Sequence, residues 1–126
     1  MAITEKLLVE KADGIGTLTL NQPSKRNAIS FEMWRDFPEA MADLENDPDV
    51  RVIVLTGAGD KAFSAGADIS EFGEYRSTPE QRALYQDYEH ATTSSLRNSK
   101  KFVIARIDGV CVGGGAEVAL DCDVQI

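Results

Sequence analysis

At 126 residues, with 43% hydrophobic and 27% charged residues, the chain has the size and composition of one ordinary globular domain, and wholesale disorder is excluded. A formal net charge of −8 argues against an electrostatic nucleic-acid surface, while leaving room for a phosphorylated ligand held by a local basic site. Cys111, Cys122 and the lone His90 have no metal-ligand spacing, no apolar run is long enough to cross a bilayer, and the opening Met1–Lys6 stretch lacks a signal-peptide core, so a cytoplasmic chain without a metal site or membrane partner is expected.

In chain order, Leu7–Glu10 and Ile15–Leu20 flank Lys11-Ala12-Asp13-Gly14, where the Asp-Gly pair predicts a β-hairpin. In the second strand Gly16, Leu18 and Leu20 alternate with Ile15, Thr17 and Thr19, a period of two. Asn21–Asn27 is a polar loop. Ser30 reads as an N-cap for a helix over 31–44, in which Met33, Trp34, Phe37, Met41 and Leu44 recur at helical spacing. Pro38 falls inside it and is expected to kink or divide it. After the Asn46–Asp49 turn, Val50–Leu55 reads as a buried strand. Helix is expected from about Ile69, with a break near Gly73 and a restart beyond Pro79, placing Leu84, Tyr85, Tyr88 and Leu96 on one face. Phe102–Ile107 is a further strand, and a helix follows Gly113–Gly115. Strand and helix alternate, which predicts an α/β class with a largely parallel sheet. The last six residues open an apolar stretch straight after a polar turn, and are read as the start of another strand in a truncated chain.

Two glycine-rich turns carry the chemistry: Ser64-Ala65-Gly66-Ala67-Asp68 and Gly113-Gly114-Gly115-Ala116-Glu117. Each follows an apolar run and precedes a segment that can be helical. Such turns leave backbone N–H groups unpaired and let a ligand approach the main chain. If both face one pocket, they donate two N–H groups to a single oxygen, and the second carries a carboxylate one helical turn away. That arrangement suits stabilisation of an oxyanion with acid/base chemistry beside it. Gly57-Ala58-Gly59-Asp60-Lys61-Ala62 formally fits the dinucleotide pattern G-x-G-x-x-A, but another turn intervenes before any helix can start, and a nicotinamide dehydrogenase is set aside on that ground. No Gly-Lys-Ser/Thr phosphate loop occurs.

Pro23-Ser24-Lys25-Arg26-Asn27-Ala28, Lys61–Ile69 and Gly109–Glu117 resemble, in the same order, the signature segments of the crotonase (enoyl-CoA hydratase/isomerase) superfamily. The resemblance covers essentially the whole chain but about the N-terminal half of a family member. It implies a truncated crotonase-like ββα superhelix over residues 1–126, lacking the C-terminal part and the helices that assemble trimers and hexamers. It implies that the N–H groups of Ala67 and Gly114 form the oxyanion hole for an acyl-CoA thioester. It further implies that Lys25, Arg26, Ala28, Ala65, Ala67, Asp68, Ile69 and Gly114 contact the substrate, and that Glu117 acts on the water added to an enoyl-CoA. No cofactor is implied, since coenzyme A is part of the substrate. The second hydratase glutamate belongs beyond Ile126, so this chain alone is expected to have little or no activity. Alternatives are a Δ3,Δ2-enoyl-CoA isomerase, another crotonase-type enzyme, or a non-catalytic acyl-CoA binding or subunit-interaction module. The residues leave other readings for two motifs: Lys25 and Arg26 as a solvated loop, and Glu117 as a carboxylate that only complements a helix dipole.

Overall fold

The Asp-Gly pair turns the chain as its backbone preferences dictate. In the computed structural model, which describes residues 3–126, β1 (Leu7–Ala12) and β2 (Ile15–Leu20) form an antiparallel hairpin. Its two turn residues, Asp13 and Gly14, have φ of 56° and 80°. Both lie in the left-handed region that a type I′ turn needs to match strand twist. β3 (Val52–Gly57), β5 (Phe102–Arg106) and β7 (Val124–Gln125) add to the hairpin in parallel, giving the order β1-β2-β3-β5-β7. Register aligns Leu18 with Leu55 and Ala105, and Gly16 with Ile53 and Val103, so one face of the sheet is a continuous buried surface. A second, two-stranded parallel sheet pairs β4 (Ala62–Ser64) with β6 (Val110–Cys111). Neither short strand was expected from the sequence, because both are flanked by glycines and too brief to show a period.

Four α-helices are found among the described residues: α1 (Phe31–Glu45), α2 (Phe72–Tyr75), α3 (Pro79–Arg97) and α4 (Gly114–Leu120). Ser30 caps α1, its side chain accepting from the Met33 N–H at 3.3 Å. The apolar stripe of α1 enters one core with Leu18, Leu20, Ile53, Leu55, Phe63, Val103 and Val118. Among the described residues no helix is long and apolar enough to cross a membrane.

Of the two outcomes expected of Pro38, a kink or a division, division does not occur: α1 runs through it. A proline inside a helix removes the N–H that would pair with the carbonyl four residues back, here that of Trp34. The Thr92 hydroxyl, from α3, donates to this carbonyl at 3.0 Å. A bond lost within one helix thus becomes a bond between two. The expected break near Gly73 is also displaced: α2 runs through Gly73, and the interruption falls at Arg76–Thr78. There Thr78 caps α3 through a reciprocal capping box with Gln81, and Pro79 occupies the first turn. Cap chemistry outweighs the modest helix penalty of one glycine. Leu84 is 44% exposed and leaves the expected face, whereas Thr92 joins Tyr85 and Leu96 in burial.

The entry to β1 is pinned to α1. The Asp36 carboxylate accepts from the Thr4 N–H at 2.9 Å and from the Arg35 guanidinium at 2.7 and 3.1 Å. The Arg35 hydrogen bonds, partly opposed by burial and assisted by Thr4, hold the Asp36 carboxyl below its ordinary 3.8.

Two outcomes are expected. Thr92→Val strands the Trp34 carbonyl in the core and costs about 1–3 kcal/mol of unfolding free energy in urea titrations. In a Pro38→Ala background the same change costs distinctly less, because an alanine at that position brings back the missing N–H; strictly additive effects would refute the exchange. Since the folded carboxyl of Asp36 lies below its unfolded value, its stabilisation is present above pH 3.8 and is lost as pH falls through the depressed value. The stability gap between wild type and Asp36→Asn should therefore narrow on acidification, and a gap that widens would contradict the pairing.

Candidate active site

The site is built where two segments run side by side. The Ala65 N–H donates to the Arg26 carbonyl at 3.0 Å, the Ile29 N–H to the Gly66 carbonyl at 2.7 Å, and the Asp68 N–H to the Ile29 carbonyl at 2.9 Å. This parallel bridge uses the groups on either side of Ala67 and leaves the Ala67 N–H without an acceptor among the described residues. The Gly114 N–H, at the start of α4, is likewise without one, whereas the Gly115 and Ala116 N–H groups both turn to the Val112 carbonyl. The two turns touch. A Cβ on Gly114 would lie 3.6 Å from the Ala67 nitrogen, and one on Gly66 would lie 3.5 Å from the Gly114 nitrogen. Two unpaired amides thus share one corner of the molecule.

Close packing holds that corner. Gly113 turns the chain into α4 at a φ of 56°, a conformation that side chains resist. A side chain on Gly115 would come within 2.6 Å of the Ser64 Cβ and carbonyl oxygen, so α4 seats directly on β4. The Ser64 hydroxyl in turn accepts from the Gly66 N–H at 3.1 Å. The benzo edge of Trp34 lies 3.2–3.3 Å from where a Gly114 Cβ would stand, forming the wall behind the second amide.

Around the corner, the structure brings together the residues that the sequence singled out for ligand contact. Lys25 reaches Asp68 at 3.1 Å and the Ser70 hydroxyl at 3.3 Å. Burial pushes the Asp68 carboxyl up, but hydrogen bonds from Ser70 and the Lys25 ammonium outweigh it and leave the group below its ordinary range. Arg26 is exposed, Ala28 is buried, and Ala65 and Ala67 are half-buried. Ile69 opens the 3-10 turn after Asp68 with 75% of its surface in solvent. Glu117 lies in the first turn of α4 and is exposed. Its N–H donates to the Gly113 carbonyl at 3.0 Å, and its carboxylate has no hydrogen bond or ion pair among the described residues. The Gly57–Ala62 stretch turns at Gly59 and enters β4, so no helix begins where a pyrophosphate would need one. Among the described residues no three His, Cys, Asp or Glu side chains are placed to hold a metal ion.

Sequence reasoning missed the aromatic wall. Trp34 and Tyr85 are fully buried, and the indole N–H and phenol oxygen complete no hydrogen bond among the described residues. Burial pushes the Tyr85 hydroxyl up to about 12, an effect that the neighbouring Trp34 N–H partly offsets. Aromatics at helical spacing read as core, and nothing in the chain distinguishes these two from Phe37.

Comparison with known proteins places the sequence and the fold. The profile of the Enoyl-CoA hydratase/isomerase family matches residues 10–126. The chain is 33% identical over 120 residues to a short-chain-enoyl-CoA hydratase of Clostridium acetobutylicum, covering 95% of this chain and 45% of that protein. It is 34% identical over 119 residues to the peroxisomal Delta(3,5)-Delta(2,4)-dienoyl-CoA isomerase of Arabidopsis thaliana, covering 86% and 42%. The crystal structure of an enoyl-CoA hydratase/carnithine racemase from Magnetospirillum magneticum superposes with a TM-score of 0.91 at 38% identity, covering 97% of this chain and 46% of that one. The chain spans about half the length of these relatives. With the sequence profile and the backbone in agreement, this chain belongs to the enoyl-CoA hydratase/isomerase family of the crotonase superfamily.

Proposed function

We propose that the Ala67 and Gly114 amides bind the carbonyl oxygen of an acyl-CoA thioester, and that Glu117 handles a proton at the bound acyl group. The observation that carries this reading is the pair of unpaired main-chain N–H groups in one corner, with an unpaired carboxylate one turn along α4. Hydration of an enoyl-CoA is the reaction it suits best. Glu117 takes a proton from water as the water oxygen bonds to C3. The C2=C3 electron pair moves into an enolate whose charge rests on the thioester oxygen, and C2 then receives a proton. Each fixed donor to that oxygen is worth about 3–4 kcal/mol of barrier, because it need not reorganise as charge develops. Glu117 as general base adds about 10²–10⁴ in rate.

The acid that returns the proton to C2 belongs, by the resemblance, beyond Ile126, as do the helices that would assemble trimers or hexamers. An enoyl-CoA isomerase uses the same two amides to shift a proton between carbons, and the Arabidopsis relative named as an isomerase keeps that reading beside the hydratase. Lys25, Arg26, Ala28, Ala65, Asp68 and the exposed Ile69 are proposed to hold the nucleotide end of coenzyme A. The Lys25–Asp68 pair fixes the cation, and Ile69, next in sequence to Asp68, offers an exposed apolar side chain on which a base can rest.

On this reading the purified 126-residue chain hydrates crotonyl-CoA very slowly or not at all, as followed by loss of the enoyl absorbance. Hydration at an ordinary enzymatic rate would overturn the need for a second acid. A chromophoric aryl-enoyl-CoA, whose absorption moves to the red when its carbonyl is polarised, should show that shift on binding. Gly114→Ala places a methyl beside the Ala67 nitrogen and against Trp34, and should abolish the shift and weaken binding at least tenfold. Glu117→Gln should leave both intact. A shift that survives Gly114→Ala would remove the amides from the mechanism.

A further inference from the structure

On α3, Tyr85, Glu89, Thr92 and Leu96 follow one another at the spacing of a single helix face. Tyr85, Thr92 and Leu96 are exposed by 2% or less, which makes this the inward face. Glu89 stands half-buried among them, with neither a hydrogen bond nor an ion pair among the described residues. A half-buried carboxyl without a partner has lost part of its hydration with no hydrogen bond in return, so this position can accept a donor from a bound ligand at little further cost.

Its surroundings lead to the amide corner. The hydroxyl of Tyr85, one turn before Glu89, is buried and unpartnered and lies against the Trp34 indole. That indole forms the wall behind Gly114. α3 also flanks α4, with Arg97 reaching Asp121 at 3.7 Å. Burial pushes the Glu89 carboxyl up, the Arg76 guanidinium draws it back, and the charge of Glu117 adds to the rise. Arg76 stacks over Phe72 at 4.2 Å and Tyr85 at 5.1 Å and makes no ion pair with Glu89.

We propose that Glu89 is a specificity residue that accepts a hydrogen bond from a hydroxyl on the acyl chain of the bound CoA thioester. The inference rests on the acyl-CoA reading above and deepens it by naming the class of acyl group. A hydroxyl suits this position better than an ammonium, because Arg76 already supplies positive charge there and a second cation would be repelled. It also suits either state of Glu89, donating to the carboxylate or accepting from the acid. A purely aliphatic chain would leave the carboxyl desolvated and unpaired.

The test is calorimetric binding to the 126-residue chain of saturated CoA thioesters in matched pairs, each length with and without a terminal hydroxyl. At the best-fitting length the hydroxylated member should bind roughly tenfold more tightly or better. Glu89→Leu should abolish or invert that preference while melting no lower than wild type. Glu89→Gln, close to the native volume and still able to accept a hydrogen bond, should retain part of it. Thioesters that all bind with no preference for the hydroxyl at any length, or with one that Glu89→Leu leaves unchanged, would overturn this inference and leave the acyl-CoA reading standing. If no thioester binds more tightly than free coenzyme A, the acyl-CoA reading itself falls and this inference with it.

Discussion

Ile29 uses both of its backbone groups on one neighbouring segment, and the candidate site depends on that. Its N–H is taken by Gly66 and its carbonyl by Asp68, at 2.7 and 2.9 Å. In a parallel bridge the residue between those two partners must turn its own N–H the other way. That residue is Ala67. The unpaired amide is therefore a consequence of strand-like pairing continued into a loop, and it needs no strain or special side chain to exist. The Gly114 amide is left over for a different reason: the first N–H groups of any helix lack partners within it. Close packing at Gly115 and Ser64 then brings the two together.

The aromatic wall links this corner to the core. Trp34 uses its carbonyl to receive Thr92, its ring to back Gly114, and its indole N–H to face Tyr85. α1 and α3 are thereby joined through the same residue that limits the space beside the second amide. Displacement of either helix would be felt at Gly114 directly, since protein interiors transmit small shifts rather than absorbing them.

Where local chemistry decides the outcome, the sequence could be read directly. Asp13-Gly14 sets its own turn, Ser30 its own cap, and the period-two pattern of Gly16, Leu18 and Leu20 its own buried face. The two glycine-rich turns stood out for the same reason. What could not be read depends on a distant partner. The carbonyl orphaned by Pro38 finds its donor in a hydroxyl 54 positions later in the sequence. β4 and β6 exist only because each finds the other. Glu89 reads as one more helix-surface charge until the burial of Tyr85, Thr92 and Leu96 shows which way its face turns.

One consequence concerns how such a corner changes over generations. Two of the three groups in this candidate site are main chain, and of all side-chain replacements only proline removes a peptide N–H. Every other substitution can crowd these donors or shift them, but leaves them in place while the loop keeps its course. The carboxyl at 117 has no such protection, since a single base change converts a glutamate codon to a glutamine codon. A frame of this kind is thus harder to lose by substitution than the acid beside it, which favours change of reaction over loss of shape.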